Sequence, residues 1–151
     1  MVKATVSGLV MIEGKIMLVR HTYGVGKDKL LLPGGHVKDG EMPEQAVSRE
    51  ILEETGVRAR PADIIGARLK KDEWLLLYRM EYVGGTPASD GHENSEVLLL
   101  PPEEAVERED IMPLSREMCR AVLEGRLFVM PYDPELKFTG FRQDEYMVYG
   151  F

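Results

Sequence analysis

Apolar residues divide this chain into short extended runs around one helical stretch. Residues 4–12 and 15–20 are rich in Val, Ile, Leu and Met, and Glu13-Gly14 between them has turn chemistry, so the pattern predicts a hairpin. Residues 21–29, HTYGVGKDK, are polar with two glycines and read as a loop over a site. Leu30, Leu31 and Leu32 then form a short strand that ends in the tight turn Pro33-Gly34-Gly35. From 43 to 55 the spacing becomes helical. Pro43 suits a first turn, Ala46, Val47, Ile51 and Leu52 supply apolar contacts, and Gly56 suits the position just past the end. Arg60-Pro61 reads as a connection, and residues 64–70 and 74–82 read as strands joined through Lys71-Asp72-Glu73. Residues 84–94 are a loop by composition, and Glu96 opens an apolar strand that ends at Pro101. Pro102-Glu103-Glu104-Ala105 starts a short helix. Residues 115–125 predict a second longer helix capped by Ser115, with Met118, Cys119, Val122 and Leu123 on its apolar side.

The length of 151 residues suits a single domain over the whole chain, and 44% hydrophobic with 30% charged residues is an ordinary globular balance. A net charge of −7 argues against a nucleic-acid polymer as partner, because such binders carry a basic stripe. No apolar run is long enough to span a bilayer and the first residues lack a signal-peptide pattern, so no membrane partner and a cytoplasmic location are expected. The single Cys119 excludes an intrachain disulfide and fits a packing role in a reducing compartment. The tail, residues 126–151, carries Phe128, Tyr132, Phe138, Phe141, Tyr146, Tyr149 and Phe151. So many aromatics should dock on the tail's own domain, line a pocket, or cross to a second subunit in a homodimer, with packing favoured over a ligand role.

The helix at 43–55 carries the chemistry. At about 100° per residue, Glu50, Glu53 and Glu54 fall within roughly a 100° arc of one face. Three carboxylates in a last helical turn oppose the helix dipole at about 0.3–1 kcal/mol each, and Glu50 and Glu54 repel one another at i,i+4. An acidic helix face is usually just solvated, but a bound cation would reverse the sign of these terms. Carboxylates without His or Cys partners favour a hard ion, Mg²⁺ first and Mn²⁺ as the alternative.

Gly35, Glu41, Arg49-Glu50, aliphatic Ile51, Glu53-Glu54, Gly56 and aliphatic Val57 together resemble the Nudix box at every position. The resemblance is detailed from Gly35 to Val57 and looser to about residue 125. It implies an α/β fold, an α/β/α sandwich with a mixed β-sheet between helices. It also implies metal-dependent hydrolysis of a pyrophosphate in a nucleoside diphosphate linked to a group X. Carried across, Glu50 and Glu54 become metal ligands, Glu53 a third ligand or the general base, and Gly35 a ligand through its carbonyl. Arg49 then holds a glutamate in place, and Glu41 is structural or outer-shell. Glu96 is the leading downstream carboxylate, with Glu93 as substitute and an exposed strand-start glutamate as the bland alternative. Substrate contacts are sought at Arg20, His21, Tyr23, Lys27 and Lys29 before the box and at Trp74, Tyr78 and Arg79 after it, although each alone is more simply structural or solvated.

Some family features are absent. Leu30 and Leu99 stand where related chains often have tryptophan, and the marks of the coenzyme A, ADP-ribose and NADH types are missing. Trp74 occupies the place of a tyrosine typical of the dinucleoside polyphosphate type. By elimination the first expectation is a nucleoside triphosphate or an oxidised nucleotide as the phosphorylated small-molecule substrate. The alternatives are dinucleoside polyphosphates, ADP-ribose or nucleotide sugars. A non-catalytic nucleotide sensor is a further reading, but it would be expected to lose box glutamates; an isoprenoid diphosphate isomerase would need a better placed cysteine.

Overall fold

A computed structural model describes residues 1–135, 140 and 142–150. Its first strand, β1 (Lys3–Ile12), is the hub. It turns through Glu13-Gly14 into β2 (Lys15–His21), with Met11 opposite Ile16. Further back, β1 pairs antiparallel with β4 (Gly34–His36), which follows the two-residue β3 (Leu30–Leu31). After the helix α1 (Pro43–Thr55) come two long antiparallel strands, β5 (Arg58–Leu69) and β6 (Glu73–Gly84). β6 pairs parallel with β1, so the sheet is mixed, in the order β3-β2-β1-β6-β5-β8 with β4 on β1 and β7 on β2. β7 is Asn94–Leu100 and β8 is Met130–Pro131.

Alternation along the strands sends side chains to two separate cores. Val6, Val10 and Tyr78 pack with Val47 and Ile51 of α1 on one face. Leu9, Leu18, Leu75 and Leu77 pack on the other with Ala105 of α2 (Pro102–Ala105) and Cys119 of α3 (Pro113–Leu123). The result is an α/β/α sandwich. Burial pushes the Cys119 thiol up to about 11, as suits a packed, unreactive sulfur.

Three local expectations are corrected. The stretch at Arg60-Pro61 is strand, not connection, because the register shifts between Pro61 and Asp63 and accommodates a residue that has no N–H to donate. Helix α3 begins at Pro113, before Ser115; the Ser115 hydroxyl oxygen instead accepts the Leu32 N–H at 3.1 Å. Leu123 is exposed, while Ala121 is buried in its helix.

The described part of the tail lies on its own domain. β8 pairs with β5, and Tyr149 meets Tyr78 edge-on, with ring centres 6.2 Å apart, and Tyr132 at 5.6 Å. Phe128 is exposed, and Phe138, Phe141 and Phe151 lie outside the described residues. Among the described residues no helix is long and apolar enough to cross a membrane.

The contact of α1 with the sheet depends on Gly8. A Cβ there would lie 2.6 Å from Ile51 Cδ1 and 2.8 Å from Met80 Cγ. We expect Gly8→Ala to lose about 1–3 kcal/mol by overpacking, read as a lower denaturation midpoint with an unchanged m-value. An unaltered midpoint would mean the helix sits looser on the sheet than described.

Candidate active site

The site grows from the end of α1. Gln45 accepts the Met42 N–H at 2.9 Å at its start, and Gly56 closes it in the left-handed region, φ 74°, where glycine carries no Cβ penalty. The face that packs on the sheet therefore also buries two acids. Glu50 is 9% exposed and Glu54 2%, whereas the Glu53 side chain is 55% exposed.

Arg49 holds the first part of the cluster. Its guanidinium donates to both Glu41 oxygens at 2.7 and 3.0 Å, to Glu50 at 2.8 Å, to Glu53 at 3.1 Å and to the His36 carbonyl at 3.0 Å. This fixes the box helix to the turn before it and to β4. The Arg49 guanidinium holds the Glu41 carboxyl down to about 2. Burial raises that of Glu50, with Arg49 opposing and Glu53 and Glu93 adding to the rise.

Glu54 has no such help. No side chain donates to either of its oxygens among the described residues, and burial, then the charges of Glu50 and Glu93, push its carboxyl up to about 8 against a weaker opposing pull from the Gly34 backbone N–H. Oxygens of Glu50, Glu54 and Glu93 lie within 4.8 Å of one another. Gly35 presses on the same group, since a Cβ at that position would stand 2.4 Å from the Glu50 carboxyl carbon. A cation fits here on chemical grounds: hard oxygens of three carboxylates converge, and one of the three, Glu54, has both oxygens buried with no side-chain donor among the described residues.

Glu93 reaches this cluster through backbone work by its neighbours. Asn94 donates its side-chain amide to the Glu54 carbonyl at 2.8 Å, and Ala88 N–H donates to the Thr55 carbonyl at 2.9 Å. Asp90 accepts the N–H groups of His92 and Asn94, and Thr22 N–H donates to the Glu93 carbonyl at 3.1 Å. The loop 85–93 is thereby folded over the helix end. Glu96, two residues into β7, lies instead against Arg20, Nε to Oε2 2.9 Å.

The other sequence candidates fall into two groups. His21 and Tyr23 stack at 5.2 Å with planes 12° apart, and both line a cleft of about 410 Å³ that extends to Gly34, Gly35 and His36. Arg20 is engaged by Glu96, by Asp110 at 3.0 Å and by the Asp28 carbonyl, and Arg79 is paired with Asp63; neither lines this cleft. Tyr78 is buried in the α1-side core and Trp74 is exposed. The sequence reading missed Asn94, and it missed Arg68, Glu73, Thr5 and Ser7 in the cleft lining. The only hint for the loop was its density of turn-forming residues.

Arg49 thus ties the box helix to the glycine strand, and two of the helix's acids converge with Glu93, the second of the two downstream candidates, rather than with Glu96. A sequence model of the NUDIX domain matches residues 1–122. The chain belongs to the Nudix hydrolase family. A protein named ADP-ribose pyrophosphatase from Methanocaldococcus jannaschii is 31% identical over 86 residues, 53% of this chain and 51% of that protein. A MutT-like protein from Streptomyces ambofaciens is 31% identical over 107 residues, 69% of this chain and 67% of its own length. The chain thus spans about half to two thirds of these curated Nudix relatives. Among solved structures, a NUDIX hydrolase from Nitrosomonas europaea aligns over 93% of this chain and all of its own, with TM-score 0.73 at 22% identity, a likeness of fold.

The buried Glu54 carboxyl makes metal-free stability depend on pH. Folded Glu54 keeps its proton up to about pH 8, while the unfolded side chain loses it near 4.5. In that window the folded state binds more protons, so stability falls as pH rises through it, on the order of a few kcal/mol in total. We expect the melting temperature in chelator to drop between pH 5 and 8, and Glu54→Gln to flatten that drop. Equal slopes for parent and variant would show that Glu54 ionises freely.

Proposed function

We propose that this Nudix domain hydrolyses a pyrophosphate bond in a nucleoside diphosphate linked to X, with a nucleoside triphosphate or an oxidised nucleotide as substrate and Mg²⁺ as the ion, Mn²⁺ serving in its place. The observation that carries the reading is the buried, unpartnered Glu54 carboxylate beside Glu50 and Glu93. These residues would hold the metal, with the Gly35 carbonyl as a further donor. When bound, the ion supplies charge neutralisation at the phosphate oxygens and a lowered pKa for the attacking water.

The chain's own groups do the rest. Arg49 spends its guanidinium on Glu41, Glu50, Glu53 and the His36 carbonyl, so it is a positioning residue. Glu53 is anchored through Oε2 and mostly exposed, which suits a carboxylate that accepts a proton from water. The bare Gly34-Gly35 backbone lets a phosphate approach the carboxylates closely. The stacked His21 and Tyr23 rings line the cleft close to the Glu50, Glu54 and Glu93 charges, where they would flank the phosphates. A reducing, cytoplasmic setting fits the buried lone cysteine.

A screen of nucleoside triphosphates, oxidised nucleotides, nucleotide sugars, ADP-ribose and dinucleoside polyphosphates with Mg²⁺ and product identification tests the reading. Excess chelator should abolish turnover; full activity in chelator would remove the metal role. Glu54→Gln and Glu93→Gln should each cost at least about a hundredfold in kcat, as loss of one electrostatic contact to a transition state does. Glu96→Gln should cost far less, because its carboxylate serves Arg20. The reverse ranking of Glu93 and Glu96 would move the downstream role to β7. In calorimetric melts, Mg²⁺ should raise the parent's melting temperature and leave that of Glu54→Gln nearly unmoved.

A further inference from the structure

The floor of the cleft is built from side chains that stand in rows across four strands. Arg68 of β5 is opposite Leu75 of β6, Leu75 opposite Thr5 of β1, and Thr5 opposite His36 of β4. The next row of the same face runs through Gly66, Leu77, Ser7 and Gly34. Directly paired residues share a face, and these rows alternate with the residues that face α1. At about 4.8 Å per strand, the row from Arg68 to His36 crosses roughly 14 Å. That is the scale of a nucleoside diphosphate laid flat, with its phosphates at the His36 end, beside Gly35 and Glu50.

The far end of the row carries a charged pair. Glu73 stands two residues before Leu75 on the same strand face, and its carboxylate accepts from the Arg68 guanidinium; both residues line the cleft. The Glu73 side chain is 23% exposed and that of Arg68 45%. The pair is held by the tight end of the hairpin, where Lys70 N–H donates to the Glu73 carbonyl at 2.8 Å and Lys3 N–H to the Asp72 carbonyl at 2.9 Å. Between it and the Gly34-Gly35 turn the floor is mainly apolar, with Leu75 and Leu77. A guanidinium already matched by a carboxylate has no net charge to offer a second phosphate. What the pair does offer is fixed donors beside fixed acceptor lone pairs.

We propose that Arg68 and Glu73 together read the edge of a nucleobase presenting N–H donors beside a carbonyl acceptor, as guanine does, and so set the base preference of this site. Glu73 accepts from the ring N–H and exocyclic amino group, while Arg68 donates to the adjacent carbonyl oxygen. Adenine in the same pose sets its amino group against the Arg68 donors and its N1 lone pair against the Glu73 carboxylate, a mismatch at both contacts. The inference rests on the proposed pyrophosphate hydrolysis only for where the phosphates lie.

Guanosine, inosine and adenosine carry no phosphate, so their binding can be followed in chelator by chemical-shift titration, apart from any chemistry. Guanosine should bind roughly tenfold to a hundredfold more tightly than adenosine, with inosine between them. Glu73→Gln and Arg68→Gln should each bring the guanosine to adenosine ratio close to one. The exchanged pair Arg68→Glu with Glu73→Arg restores the ion pair but reverses the donor order. It should keep the parent's melting temperature and still lose the preference; recovery of guanosine preference in that double variant would reduce the pair to a hairpin clamp. No preference in the parent, or one that survives both single variants, overturns the inference while leaving metal-dependent hydrolysis standing. Guanosine selectivity without hydrolysis of any pyrophosphate would do the opposite, retaining the base reader and removing the enzyme reading.

Discussion

The structure turns on an acid that has no charge partner. Glu54 is placed in the last turn of α1, in the negative end of the helix dipole, under the 85–93 loop and beside two other carboxylates. Arg49 is shared among its neighbours and is used up in doing so, one positive charge with Glu41, Glu50 and Glu53 all on its fork. The imbalance is local and directional. It raises the Glu54 carboxyl, destabilises the ionised helix end, and makes the same spot attractive to a hard cation and through it to a phosphate.

The elements around that imbalance are braced against one another by pairing, close packing and ion pairs. β1 provides one edge for β4, the glycine strand pressed on Glu50, and the other for β6, whose far face lines the cleft. Gly8 lets α1 settle on the sheet and Gly35 lets Glu50 reach across it. The Arg20, Glu96 and Asp110 network ties β2 to β7 and to the segment before α3, and the Arg20 contact to the Asp28 carbonyl fixes the end of the loop that carries His21 and Tyr23. In this arrangement the two arginines that look available for substrate in the sequence, Arg20 and Arg79, are occupied in holding the walls.

Much of the fold was legible because it rests on local chemistry. The hairpin at Glu13-Gly14, the helix from Pro43 to Thr55 and the short helix after Pro101 follow from turn residues, spacing and caps. Pro61 misled because a proline inside a strand needs a bulge, and bulges depend on the partner strand. Ser115 misled because a hydroxyl that could cap its own helix finds the Leu32 amide, far away in sequence.

The sequence by itself determined which acids share a helix face, since a period of 3.6 residues fixes that within thirteen positions of α1. It also determined the family, because the glycines, the arginine and the glutamates of the box are spaced by one turn and one helix. Burial lay beyond its reach: Glu53 and Glu54 are adjacent in sequence, yet one is exposed on Arg49 and the other sealed without a partner. So did the placement of Glu93 beside Glu54 and of Glu96 on Arg20, the former depending on Asn94 bonding to a carbonyl forty positions earlier. The row from Arg68 to His36 joins strands whose pairing includes a parallel crossover, and no local pattern encodes such a register. Tertiary structure decided these points because solvent exclusion and strand pairing act between segments that are distant along the chain.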